Sequence, residues 1–291
     1  MYAGALSAGR ANEMKFDTAY LPISAFAQHG PRLPFTTSIL IARALSEEIS
    51  TQVNAFMLPV QPFGSCVEHD DKYSVGVDSG LMYEMTLDLA RELKRQGFRR
   101  LILHKGYAGL SMLYPLTRHL NAAEGMQTAF VDPCALVAAA CTNATRVTDA
   151  CKSDVCDSND HLLECADDFH AGELHTSLMM YLYPNLVKMD IDNQAKLFSQ
   201  DLQIDNDEKS SKPERNSQFS NLDFIPKASP GDLDVKPFSL LCPEGVWGRP
   251  SLASAEKGAK IFREAVRLTV ESINDAFSFM GKNGDYVGSY T

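Results

Sequence analysis

Hydrophobic positions along the chain recur with two different spacings, and the spacings alternate. Short apolar runs at 18–24 (TAYLPIS), 55–60 (AFMLPV), 99–104 (RRLILH) and 127–131 read as strands. Between them lie stretches with apolar residues three and four apart, the mark of a helix with one buried side. Residues 36–50 form one such stretch, with Ile39, Ile41, Ala42 and Leu45 on a face and Thr36 or Thr37 to cap the start. Residues 79–96 form the clearest: Leu81, Met82, Met85, Leu89 and Leu93 share a side, Ser79 is the expected cap and Gly97 the stop. Further helices are expected at about 110–122, 171–183 and 252–279. Strands alternating with amphipathic helices predict βαβ units, hence a three-layer α/β/α fold on a mainly parallel sheet.

Two stretches break the pattern. Residues 141–168 are rich in Cys, Asp, Asn and Thr, and residues 189–237 are polar around DNDEKSSKPERNSQ. The chain is therefore expected to be a single domain over 1–291, carrying a Cys-rich insertion and a long polar loop. Its 37 acids against 27 bases give a net charge of −10, which disfavours nucleic acid and anionic membranes as partners. No apolar run reaches the ~20 residues of a bilayer span, and the start lacks a secretory pattern, so a cytoplasmic location is expected. Seven cysteines, an odd number, are read as free thiols. Cys151, Cys156, His161 and Cys165 have a spacing that admits four zinc ligands, without the tight Cys-x2-Cys knuckle of structural zinc.

In open parallel sheets, ligands bind beyond the carboxyl ends of the strands. That rule selects residues 24–34 (SAFAQHGPRLP), with His29 and Arg32, and residues 104–109 (HKGYAG), with His104, Lys105 and Tyr107. Gly106 and Gly109 allow close backbone approach there. A third cluster, FHAGELHTS at 169–177, holds His170, Glu173 and His175, residue types that bind metals or move protons. Walker A, Gly-x-Ser-x-Gly, Cys-x-x-Cys and His-Glu-x-x-His motifs are absent, which disfavours phosphotransferases, serine hydrolases, dithiol oxidoreductases and zincins.

Taken together, these segments resemble the creatininase (creatinine amidohydrolase) family. LPISAFAQHGPRLPFTTS at 21–38 is similar to its signature LPxGSxEQHGPHLPLxTD, and FRRLILHKGYAGL at 98–110 stands where the family has a strand followed by NGHGGN. HAGELHTS at 170–177 is similar to HAGExETS, GVWGRPSLASAEKG at 245–258 to GVxGxPxxAxxxxG, and FGSCVEH at 63–69 to the segment before the family's second helix. The resemblance implies a hydrolase acting on C–N bonds of cyclic or formyl amides, with two divalent metals and a hexameric assembly. The signature's glutamate, however, is Ala27 and its aspartate Ser38; the middle histidine is Tyr107 and the second late acid His175.

Those departures imply a rebuilt site acting on an amide-type C–N bond of a small substrate, by hydrolysis or by the reverse ring closure or condensation. His170 and Glu173 are expected as an acid/base pair, and His29 and Tyr107 as groups that position or polarise the substrate. Arg32, Lys105, His104 and Gly106 are expected to hold a substrate that carries an anionic group. If a divalent metal such as zinc, manganese or iron binds, His29, Glu173 and His175 are its expected ligands; the alternative is no cofactor. A non-catalytic family member that binds a small molecule or completes an oligomer is the competing expectation.

Overall fold

A computed structural model describes residues 6–69, 71, 73–142, 163, 168–189, 237–242 and 244–282. Its sheet has four parallel strands in the order β2-β1-β3-β4: β1 (Thr18–Ile23), β2 (Phe56–Met57), β3 (Arg100–Lys105) and β4 (Gln127–Val131). All six residues of β1 are buried. Burial on both faces is what an all-parallel sheet requires, and it explains why the strands read as unbroken apolar runs.

Successive side chains on β1 and β3 go to opposite faces. Tyr20 and Ile102 enter one core, with Leu45 and Ile49 of α2 (Thr37–Gln52), Leu178 and Met179 of α6 (Glu173–Leu182), Phe238 of the short α7 (Phe238–Leu241), and Ile261 and Ile273 of α8 (Ala255–Lys282). Leu21, Leu101 and Leu103 enter the other, with Met82 and Leu93 of α3 (Ser79–Arg95) and Leu116 and Leu120 of α4 (Leu113–Ala122). The three expected layers are therefore present.

Several boundaries moved. The strand expected at 55–60 is cut to Phe56–Met57. Pro59 has no N–H to give, although Leu58 and Gln61 still donate to the Tyr20 and Pro22 carbonyls of β1. Asp78, not Ser79, caps α3, its carboxylate accepting from the Gly80 and Leu81 amides. Two helices had no periodic signal: α1 (Ala8–Met14), which buries nothing, and α5 (Pro133–Thr142), which is apolar all round. α6 and α8 cross closely because Gly258 lies against the Ser177 carbonyl, where any Cβ would collide.

The segments 143–162, 164–167 and 190–236, and with them most of the expected insertion and polar loop, lie outside the described residues. So do Cys151, Cys156, His161 and Cys165. Among the described residues, no helix is long and apolar enough to cross a membrane.

Candidate active site

The sheet's order places the strand-order reversal between β1 and β3, and the loops leaving their carboxyl ends diverge there to open a crevice. A cavity of about 300 Å³ occupies this end of the sheet, lined by polar groups of Glu68, His69, Tyr107 and His170 and by the rings of Phe169 and Phe238. Glu68 and His69 come from the long β2–α3 connection, Tyr107 from the turn after β3, and His170 from the segment before α6.

Tyr107 donates its hydroxyl to Glu68 Oε1 at 2.5 Å. Burial, then the Glu68 carboxylate, push the phenol well above its ordinary value, so it stays protonated. Gly109 makes this pair possible, since a Cβ there would strike the Glu68 carboxylate. His170 is held by an antiparallel bridge to Trp247 and gives its Nε2 proton to the Gln28 carbonyl at 2.8 Å. Its Nδ1 is left as an acceptor. Burial keeps this imidazole well below its usual value, and therefore neutral. The next residue, Ala171, is buried with φ at +52°, a left-handed conformation costly for a residue with a Cβ. His69 lies 3.6 Å from Asp71 Oδ2. Burial alone would lift that carboxyl, but the nearby His69 ring and hydrogen bonds from Ser74 hold it at about 2.

Behind this wall the other histidines stack. The His29 and His170 ring centroids are 4.6 Å apart, His29 and His175 5.8 Å, and His69 and His170 5.1 Å. His29 donates Nδ1–H to the Ala27 carbonyl at 2.9 Å, and its Nε2 lone pair accepts the Ser38 hydroxyl at 2.8 Å. Burial, followed by the charges of His175 and His69, pulls His29 down to about 3; burial pulls His175 to about 4. Glu173 is fully buried in the first turn of α6, with Lys257 Nζ at 2.6 Å. Asp168 caps the same helix by accepting from the Leu174 amide, and burial lifts its carboxyl to about 7.

The structure corrects several expectations. His104 points into the core, not to a ligand: on β3 it shares the face of Ile102, and its Nδ1 sits 2.7 Å from the Ser46 hydroxyl and 3.0 Å from that of Tyr20. Lys105 is tied to Asp132 at 3.2 Å beside the Tyr114 ring, and Arg32 is buried; neither lines the cavity. Gly106 serves packing, since a Cβ would lie 2.6 Å from the Ala42 Cβ. Glu173 is directed to Lys257 and does not line the cavity with His170. His69 carried no signal of its own in the sequence beyond its place in FGSCVEH.

The expected metal ligands do not fit a metal. His29 has given its free lone pair to Ser38, Glu173 faces an ammonium, and Ala27 supplies no carboxylate. A divalent site needs at least three converging donors. Among the described residues no group of three His, Cys, Asp or Glu side chains is placed to hold a metal ion.

Comparison with known proteins agrees with this architecture. A curated creatinine amidohydrolase of Pseudomonas putida is 26% identical over 189 residues, 58% of this chain and 66% of that one. A mycofactocin precursor peptide peptidase of Mycobacterium ulcerans (strain Agy99) is 22% identical, covering 87% of this chain and 83% of its own. The match spans just under two thirds of the Pseudomonas relative. A crystal structure of creatinine amidohydrolase (creatininase) superposes with a TM-score of 0.61 at 20% identity, over 95% of this chain and 97% of that one. A structure titled Creatininase Mn gives 0.61 at 20%, over 95% and 98%. The creatinine amidohydrolase family model matches residues 6–273, and with nearly the whole length matched this chain belongs to the creatininase family.

Proposed function

We propose that the protein is a creatininase-family hydrolase that cleaves an amide-type C–N bond of a small substrate in the cavity between Glu68, Tyr107 and His170. The observation that carries this reading is the Tyr107–Glu68 hydrogen bond at the mouth of the β1/β3 crevice. It pairs a carboxylate, which can take a proton, with a phenol that stays protonated and can give a hydrogen bond. The two relatives support the reaction class, since the names amidohydrolase and peptidase both denote hydrolysis of an amide C–N bond.

In the proposed reaction Glu68 removes a proton from water and the water oxygen adds to the amide carbon. The Tyr107 hydroxyl turns to the oxygen that gains negative charge. The C–N bond then breaks, and the leaving nitrogen takes the proton from Glu68. His170 fixes the geometry through its acceptor Nδ1, while Phe169 and Phe238 shield the carboxylate from bulk water. A cavity of about 300 Å³ sets the size of the substrate, at the small end of ligand pockets. Among the described residues no Lys or Arg lines it, so the anionic group expected from Arg32 and Lys105 is not part of this reading. Assembly into a closed homo-oligomer, in which the 1–291 unit folds as one domain, belongs to the same proposal.

The test is hydrolysis of a panel of small lactams, ureides and formamides, read as a gain of one water by mass spectrometry. Wild type should turn over at least one, and Glu68→Gln should lower kcat by about 100-fold or more with binding retained. Undiminished turnover by Glu68→Gln would refute the mechanism. Binding without turnover by wild type would favour the non-catalytic reading, for which the internally satisfied His29 and Glu173 are the supporting observation.

A further inference from the structure

Gln28 is buried in the loop after β1, and all of its polar atoms are committed. Its backbone N–H donates to the Ser74 hydroxyl at 2.9 Å, and its carbonyl accepts His170 Nε2–H at 2.8 Å. The side-chain Oε1 accepts the Gly30 amide at 2.7 Å. A backbone N–H can only donate, so the oxygen must be the end that faces Gly30. The side chain is also wedged against Gly245, where any Cβ would strike Oε1. The other end, Nε2, is therefore a donor, and it lies 3.4 Å from His69 Nδ1. Nδ1 then acts as the acceptor, which puts the ring proton on Nε2. A second proton would enter at Nδ1, 3.6 Å from Asp71 Oδ2, so Nε2 keeps its proton in either state. With Nδ1 turned to Gln28 and Asp71, Nε2 across the ring is the nitrogen left for the cavity that His69 lines. His170 also carries its proton on Nε2, but it gives that proton to Gln28 and leaves the Nδ1 lone pair for the cavity. One glutamine thus sets two rings, 5.1 Å apart, with opposite hydrogen-bonding character towards a ligand.

We propose that His69 is a catalytic residue that gives a second hydrogen bond, beside that of Tyr107, to the carbonyl oxygen as it gains charge, and that Gln28 is the positioning residue that keeps the His69 Nε2 proton in place. The His69 and Tyr107 ring centroids are 6.0 Å apart, which lets both donors converge on one oxygen. The donor role rests on the proposed hydrolysis; the setting of the ring by Gln28 does not.

Nitrogen-15 NMR of protein labelled at histidine reads the ring without turnover. At mildly alkaline pH the His69 signals, identified by their loss in either His69 variant below, should show a protonated Nε2 and a bare Nδ1. Gln28→Glu keeps an oxygen on the Gly30 amide and turns another to His69, so Nδ1 should gain a proton. A proton on Nδ1 in wild type, or a bare Nδ1 in Gln28→Glu, would overturn the positioning role. On a substrate that wild type hydrolyses, His69→Asn, whose amide reaches only the Nδ1 position, should lower kcat by about 100-fold. His69→Gln, whose amide N–H reaches the Nε2 position, should stay within about 10-fold of wild type. Equal losses in the two variants, or none, would overturn the donor role. Full turnover by Glu68→Gln would instead remove the hydrolysis on which that role rests and leave the ring's setting standing. Where the variants do not fold, or wild type turns nothing over, the readout is the wild-type His69 Nε2 signal with a lactam, ureide or formamide added. A shift on binding supports the contact, and an unmoved signal overturns it.

Discussion

Lowering the pH from 7 to 5 should destabilise the protein through His104, by an amount the structure allows one to work out. The ring is 1% exposed, and burial holds its imidazole at about 3. In the unfolded chain it titrates near 6.5. Between pH 7 and 5 the unfolded state therefore takes up most of a proton that the folded state refuses. The unfolded state binds more protons, so stability rises with pH: His104's contribution is fully present above the unfolded value and is lost on acidification. Integrating over the interval gives about 2 kcal/mol for this one residue. Other buried histidines push the same way, while Asp168, lifted to about 7, pushes the opposite way. A difference measurement removes them. Urea unfolding at both pH values, for wild type and for His104→Gln, isolates the residue, because the glutamine amide oxygen can still accept from Ser46 and Tyr20. Wild type should lose about 2 kcal/mol more than the variant over the interval. Equal losses in the two proteins would mean that His104 protonates freely in the folded state, and the buried placement would be wrong.

Other substitutions test the packing around the site. Ser38→Ala strips the hydroxyl from the buried His29 Nε2 and should cost about 1–3 kcal/mol in urea unfolding. Gly258→Ala drives a methyl into the Ser177 carbonyl, a backbone atom that cannot step aside, and should cost about 1–3 kcal/mol, read as a fall in Tm. Gly109→Ala should push Glu68 off Tyr107 and lower turnover as far as Glu68→Gln does, with unchanged far-UV circular dichroism.

Much of the fold is legible along the chain, because a parallel sheet covered on both faces demands apolar strands and one-sided helices. β1, β3, β4, α2, α3 and α8 all lie close to their expected spans for that reason. The misses have local causes. Pro59 interrupts the hydrogen bonding of a run that is otherwise apolar enough for a longer strand. α5 is hydrophobic on every side, so its 3.6-residue period does not show. α1 buries none of its residues and so has no apolar face to detect.

The site is a different matter. Spacing and motif resemblance identify the loops after β1 and β3 and the segment before α6, because chain order and glycine placement are linear properties. They also pick out Tyr107 and His170, which the structure places on the cavity wall. They cannot say which way a side chain turns. On β3, His104 and Lys105 are neighbours in sequence, yet the pleat sends His104 into the core beside Tyr20 and Ser46 and leaves Lys105 to Asp132. Glu173 belongs to the same motif as His170, but its partner Lys257 lies on a helix 84 residues further along. Glu68 and Tyr107 are 39 residues apart. The sequence by itself thus determined the layered fold, the family and the loops that form the crevice. Only the tertiary structure decided which polar groups meet there, because hydrogen bonds and ion pairs between distant segments depend on packing that no local pattern encodes.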